Sequence, residues 1–178
     1  MKDWNILVTT LPGQERKLLP ALNRLGEFAR SEFKGILIGR VGEVTRFLEA
    51  LRHAGEEPVE WRQHLLRALP MERTFAFTPP TFEERVREAV APFVQRMASG
   101  TFHVRLERRG HKGKILSPEV EQRVGDYVIG LATQQGKTLR VSFQDSDYVV
   151  VAETVGNMCG VALVTRELRR RYPFVKIR

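Results

Sequence analysis

The stretch TFHVRLE, residues 101–107, alternates strictly. Phe102, Val104 and Leu106 fall on one side; His103, Arg105 and Glu107 fall on the other. A period of two fixes a half-buried strand, because a helix would need its apolar residues three or four apart. The flanking segments do have that helical spacing. PTFEERVREAVAPFVQRM carries Phe82, Val86, Val90, Phe93 and Met97 in one stripe, with Thr81 and Glu84 as a capping-box signal. After the strand, Val120, Val124, Tyr127, Val128 and Leu131 form a second stripe. Ser117 is the expected cap of that helix, Pro118 its first residue and Gly136 its stop. Strands and helices mixed in this way give an α+β chain.

The remaining segments extend the pattern. NILVTT (5–10) reads as a buried strand and GQERKLLPALNRLG as a helix that Pro20 should kink or delay. FKGILIGRV (33–41) is a strand, and VTRFLEALRHAG a helix with Gly55 as its stop. WRQHLLRALP reads as a short helix and RTFAFT as a strand. Pro79-Pro80 marks a boundary. Residues 1–78 are therefore expected to form a small ferredoxin-like domain and 79–178 a second α/β domain. In the second, LRVSF and YVVVAE are expected strands joined by a turn at Gln144 to Asp147. MCGVALVT is a third strand, RELRRR a basic helix and FVKI a last strand. Phe102 and Phe143 are expected in the core; Tyr148, beside the turn, is the freest aromatic for base stacking, with core or rim packing the favoured reading.

Composition narrows the function. The 178 residues are 42% hydrophobic, enough for a core, and the formal net charge is +8. Such a charge favours a polyanionic partner. It is uneven along the chain. Residues 1–99 hold 15 Lys and Arg against 13 acids; residues 100–178 hold 14 against 8. The near-balanced N-terminal half is the expected protein-facing surface. One cysteine, Cys159, allows no internal disulfide. No apolar run reaches the roughly 18 residues of a membrane span, and the N-terminus has no signal-peptide pattern. A cytoplasmic protein without a membrane partner is expected.

Motifs for bound cofactors are missing. There is no GxxxxGK[ST] loop, no GxGxxG after a strand and no acetyl-CoA pattern, so no cofactor is expected. The four His and Cys159 do not have metal-ligand spacing, so no metal is expected. Cys159 reads as a small buried strand residue, and Asp145 and Asp147 as turn residues.

The positive signal is HVRLERRGHKGK, residues 103–114, with five Lys or Arg among its twelve residues. Arg105 points off the apolar face of its strand. Arg108, Arg109, His111, Lys112 and Lys114 follow in a Gly-punctuated loop. Arg gives planar contacts to phosphate and Lys a point charge. The loop runs into a helix start, where free N–H groups favour anions. A second cluster comprises Arg166, Arg169, Arg170 and Arg171, of which the first three share a helix side; Tyr172 and Lys176 extend it. A solvated face explains either cluster alone; two clusters together point to nucleic acid. Five phosphate contacts would give a log–log salt slope of about −4.

Taken in order, four motifs resemble the THUMP domain, an RNA-binding module of tRNA-modifying proteins. They are FHVRLERRG, SPEVEQRVGDYV, LRVSFQDSDYVVVAE around an acidic turn, and MCGVALVTRELRRRYPF. The resemblance covers about residues 80–178. It departs where Ser146 precedes Asp147, a place where the family commonly carries Pro. It implies a domain that, with a preceding ferredoxin-like domain, holds the 3′ end of tRNA. No catalytic domain is recognised up to Arg178. The resemblance therefore implies a stand-alone adaptor whose partners are tRNA and a separate modifying enzyme, an acetyltransferase that makes acetylcytidine. The alternative is a small RNA-modifying enzyme acting alone, with His111 or His103 as general base.

Overall fold

A computed structural model describes all 178 residues, with nine strands and five α-helices. No helix is long and apolar enough to cross a membrane. The chain divides into two compact units. Unit 1 is Met1–Met71 with Arg169–Lys176; unit 2 is Glu72–Leu168 with Ile177–Arg178. The architecture is mixed α/β with two sheets.

Unit 1 runs β1 (Ile6–Thr9), α1 (Glu15–Leu22), β2 (Glu27–Arg30), β3 (Ile36–Arg40), α2 (Val44–Glu56) and β4 (Arg67–Pro70). Its sheet has the order β2-β3-β1-β4, antiparallel throughout. The run ILVT is buried at every position, as a central strand covered on both faces requires. Leu18, Leu22, Phe47, Leu48 and Leu51 supply the buried faces of the two helices. Phe28 lies across from Gly39, and its ring occupies the space a Cβ at Gly39 would fill. The glycine in ILIGR is therefore the seat of an aromatic ring. Glu15 is buried and accepts the Gly35 N–H at 2.6 Å. That bond above all holds its carboxyl below the usual range.

Several expectations for this unit are corrected. β2 and β4 lie outside the expected strands. EFAR buries only Phe28, and RALP follows a 3-10 turn at Glu60–His64 that takes the place of the expected short helix. α1 runs through Pro20 but starts late and ends two residues after it. α2 passes through Gly55 to Glu56. The expected FVKI strand is absent: residues 172–178 form no strand. This tail still has a structural role. Tyr172, Phe174 and Val175 are buried, and the Phe174 carbonyl accepts the Ala68 N–H at 3.0 Å.

Unit 2 contains β5 (Arg73–Ala76), α3 (Phe82–Val90), β6 (Gly100–Glu107), α4 (Ser117–Gln134), β7 (Leu139–Val141), β8 (Tyr148–Val155) and β9 (Met158–Thr165). α5 (Arg166–Arg171) follows β9. The sheet order is β5-β9-β8-β6-β7, with β6 parallel to both its neighbours. β6 shows the expected alternation, with Phe102, Val104 and Leu106 buried. The α3 stripe of Phe82, Val86 and Val90 joins Val120, Val124 and Val128 of α4 in one core.

Here too the detail differs from the reading. RTFAFT contributes β5 to this sheet, paired with β9, and not to the first. LRVSF and YVVVAE are not neighbours: β6 lies between β7 and β8. The capping box links Thr78 with Thr81, not Thr81 with Glu84. The helix expected to reach Met97 turns 3-10 over Ala91–Arg96, beginning beside Pro92. Leu116, not Ser117, takes the cap position of α4. Its C-terminus ends as expected: Gly136 donates to Thr133, and Lys137 to Ala132.

Candidate nucleic-acid interface

The loop after β6 is built on a buried ion pair. Arg109 donates to the Glu153 carboxylate at 2.5 Å; their side chains are 10% and 2% exposed. A charge buried that deeply is stable only when paired and hydrogen-bonded. The backbone is held as well. Arg109 N–H donates to the Thr154 hydroxyl at 2.7 Å, and that hydroxyl donates to the Arg109 carbonyl at 3.1 Å. Beyond this anchor the chain turns tightly, with Gly110, His111 and Gly113 all at positive φ. At 79°, Gly113 adopts a backbone that side chains rarely tolerate. The His111 carbonyl accepts from both Lys114 and Ile115, and Ile115 is buried.

This anchoring decides what each cation can do. Lys112 and Lys114 are exposed and have no ion pair, so both ammonium groups face solvent. The Arg108 guanidinium donates to the Gly110 carbonyl inside the loop. Arg105 is 3.7 Å from Glu121, with its Nε buried and unpartnered. The His111 Nε2 lies 2.9 Å from the Asn157 side-chain oxygen, and its ring packs on Phe77. His103 is occupied by the Ser142 carbonyl and the Ser146 hydroxyl, each 3.0 Å from Nδ1.

The second cluster is divided between the units. Arg166 belongs to unit 2 and clamps the acidic turn, bonding Asp147 at 2.7 Å and Asp145 at 3.2 Å. Asp147 also accepts the Thr101 N–H at 2.9 Å. That bond first, then the Thr101 hydroxyl and Arg166, holds the Asp147 carboxyl below its ordinary value. Arg169, Arg170 and Lys176 belong to unit 1. Arg170 and Lys176 are exposed and Arg169 is half-buried. Arg171 and the Tyr172 hydroxyl both bond Glu49, each at 2.6 Å.

Counted by fold, the charge asymmetry reverses. Unit 1 holds 15 Lys and Arg against 9 acids, a net +6; unit 2 holds 14 against 12, a net +2. The Arg169–Lys176 segment moves four cations to unit 1, while Glu72, Glu83, Glu84 and Glu88 fold with unit 2. The premise of a near-neutral N-terminal surface therefore fails.

Of the two aromatics beside the turn, only one departs from expectation. Tyr148 is half-buried, and its hydroxyl accepts the Ala98 N–H at 2.9 Å. Phe143, expected in the core, is 76% exposed. Its place in the pattern Leu139, Val141, Phe143 signalled the face, but β7 ends at Val141. Glu153 was missed, although one acid inside the apolar run YVVVAETV signals a partner. Cys159 is a fully buried strand residue, and burial pushes its thiol far above the ordinary value.

Residues 80–164 match the family model of the THUMP domain. The chain carries a THUMP domain. Those residues lie in unit 2, so this unit contains an RNA-binding domain. No curated protein matches the sequence. Among solved structures, TrmN from Thermus thermophilus is similar with a TM-score of 0.65 and 24% identity, over 96% of this chain and 48% of that one. PH1313 from Pyrococcus horikoshii gives 0.61 and 10%, over 90% and 54%. A 4-thiouridine synthetase in complex with RNA and ATP gives 0.55 and 14%, over 90% and 41%. These likenesses extend over both units and show a shared fold. The chain spans about half the length, or less, of these relatives.

Proposed function

We propose that this chain is a non-catalytic tRNA-binding adaptor. It holds the single-stranded 3′ end of tRNA and presents the molecule to a separate modifying enzyme, a cytidine acetyltransferase. The observation that carries this reading is the anchored loop within the THUMP match, which holds Lys112 and Lys114 free on a rigid base. A loop backbone fixed before binding loses little conformational freedom on meeting phosphate. Unit 1 supports the reading with its β-α-β-β-α-β order and β2-β3-β1-β4 sheet, the topology of a ferredoxin-like domain. In this reading unit 1 is the ferredoxin-like domain and unit 2 the THUMP-like domain, with the boundary at Met71–Glu72 instead of residue 78 and with Arg169–Lys176 returned to the first domain. The RNA complex of a 4-thiouridine synthetase, which shares the fold, also supports it.

In this reading Lys112 and Lys114 contact phosphates directly. Arg108 and His111 shape the loop and reach the RNA once it is seated, Arg105 lies at its base, and Arg109 holds the platform. Arg170 and Lys176, with Arg169, extend the cationic surface of unit 1, and Arg166 fixes the acidic turn. The test is tRNA affinity of the Lys112→Ala, Lys114→Ala double variant across a salt series. Weaker binding with a shallower salt slope is expected; wild-type affinity and slope would overturn the assignment.

A second reading, an enzyme acting alone, is favoured by the fold shared with a 4-thiouridine synthetase. Turnover of tRNA by the purified chain, lost in His111→Ala, would decide for it.

A further inference from the structure

A cleft in unit 2 differs in character from the basic loop. It holds about 330 Å³ and lies between α4 and the β6–β7 edge. Val104 and Val141 form apolar walls, and Phe143 stands at its rim as the most exposed large apolar side chain of the chain. Gln122 and Asp126 contribute polar groups from α4. Asp126 is exposed and makes no ion pair.

The floor is Gly125, in the middle of α4. A mid-helix glycine costs about 1 kcal/mol relative to alanine. Packing does not demand it: a Cβ there would meet only Val104, at an ordinary 3.8 Å. The residue instead keeps the cleft open. Phe143 is likewise not needed in the core, yet its ring is steadied by His103 at 5.5 Å. A steadied, solvent-facing ring beside an apolar slot is a stacking platform.

We propose that this cleft takes one unpaired RNA base, stacked against Phe143, with Gln122 and Asp126 reading its polar edge. This rests on the RNA-binding reading above but names a second site, outside the basic loop. A base has apolar faces and a polar edge, as the slot has apolar walls and polar groups on one element. Phosphate is a poor occupant, because Asp126 would repel it. The carboxylate accepts hydrogen bonds, so cytosine and adenine, with exocyclic amino groups, should be preferred over uracil. Arg140, exposed on β7 beside Val141, is available to a flanking phosphate.

The test uses the full chain and fluorescein-labelled oligocytidylate, oligoadenylate, oligouridylate and an abasic strand, each of roughly six nucleotides. The wild type should bind the cytidine and adenosine strands about 5- to 150-fold more tightly than the abasic strand, the range of one stacked base. Phe143→Ala, at an exposed position, should remove most of that difference and leave abasic binding unchanged. Gly125→Leu should act likewise by filling the slot. Lys112→Ala with Lys114→Ala should weaken every strand, the abasic one included. Base-independent binding in the wild type, or an unchanged preference in Phe143→Ala, overturns the base site and leaves the basic-loop reading standing. No RNA affinity in the wild type overturns both. Unchanged RNA binding in Phe143→Ala with loss of a co-purifying protein would make the cleft a protein-docking site and also overturn the proposal.

Discussion

Arg109 meets Glu153 at 2.5 Å in the interior of unit 2, 44 residues along the chain from where its loop begins to turn. An arginine that reads as a phosphate ligand in sequence is thereby the foundation of the loop that carries the ligands. The neighbouring lysines stay free because Arg109 and the Thr154 hydroxyl have fixed the backbone beneath them.

Arg109→Ala should destabilise the protein by about 3–5 kcal/mol, since it leaves Glu153 buried without its counter-charge. Denaturant unfolding measures this directly. Replacing both partners with apolar residues of similar size should cost much less than the single change. Equal losses would show that the side-chain volume matters and the charge pair does not.

The Lys112→Ala, Lys114→Ala double variant should stay within about 0.5 kcal/mol of wild-type stability, as exposed substitutions do. Its log–log salt slope for tRNA binding should fall by about 1.5, two phosphate contacts' worth. A slope unchanged from wild type would place the phosphate contacts elsewhere.

Acid should loosen the C-terminal segment. The Tyr172 hydroxyl first, then Arg171 and Arg52, hold the Glu49 carboxyl down from 4.5 to about 2. A group with a lowered pKa stabilises the folded state fully above its unfolded value and loses that effect as pH falls through its folded value. The thermal midpoint should therefore drop between about pH 4.5 and about 2, and drop less in Glu49→Gln. Identical acid profiles for the two proteins would rule out this network as the cause.

Cys159 should resist alkylation in the native protein. Its side chain is fully buried, and that burial pushes the thiol well above the ordinary range. Iodoacetamide labelling should appear only with unfolding, at the rate of global opening. Rapid native labelling would mean that β9 opens locally.

What was legible in the sequence is what local periodicity encodes. The alternation in TFHVRLE gave β6, and the spacing of Val120, Val124 and Val128 gave the buried face of α4. β2 and β4 escaped notice because four-residue strands such as EFAR and RALP show no reliable alternation. Sheet order is non-local, so the insertion of β6 between β7 and β8 had no local signature. The same holds for Arg109, whose partner lies far along the chain. Phe143 continues the apolar alternation of Leu139 and Val141, but β7 ends at Val141 and Phe143 lies beyond it, exposed; where a short edge strand stops depends on tertiary packing. The charge reversal has a similar origin: Arg169 to Lys176 belong to unit 1 although they follow unit 2 in sequence.

The most direct test of the account is binding of the purified chain to tRNA with and without its single-stranded 3′ tail, at two salt concentrations. The account predicts affinity that depends on the tail and falls steeply as salt rises. Binding that ignores the tail, or no binding at all, would contradict it.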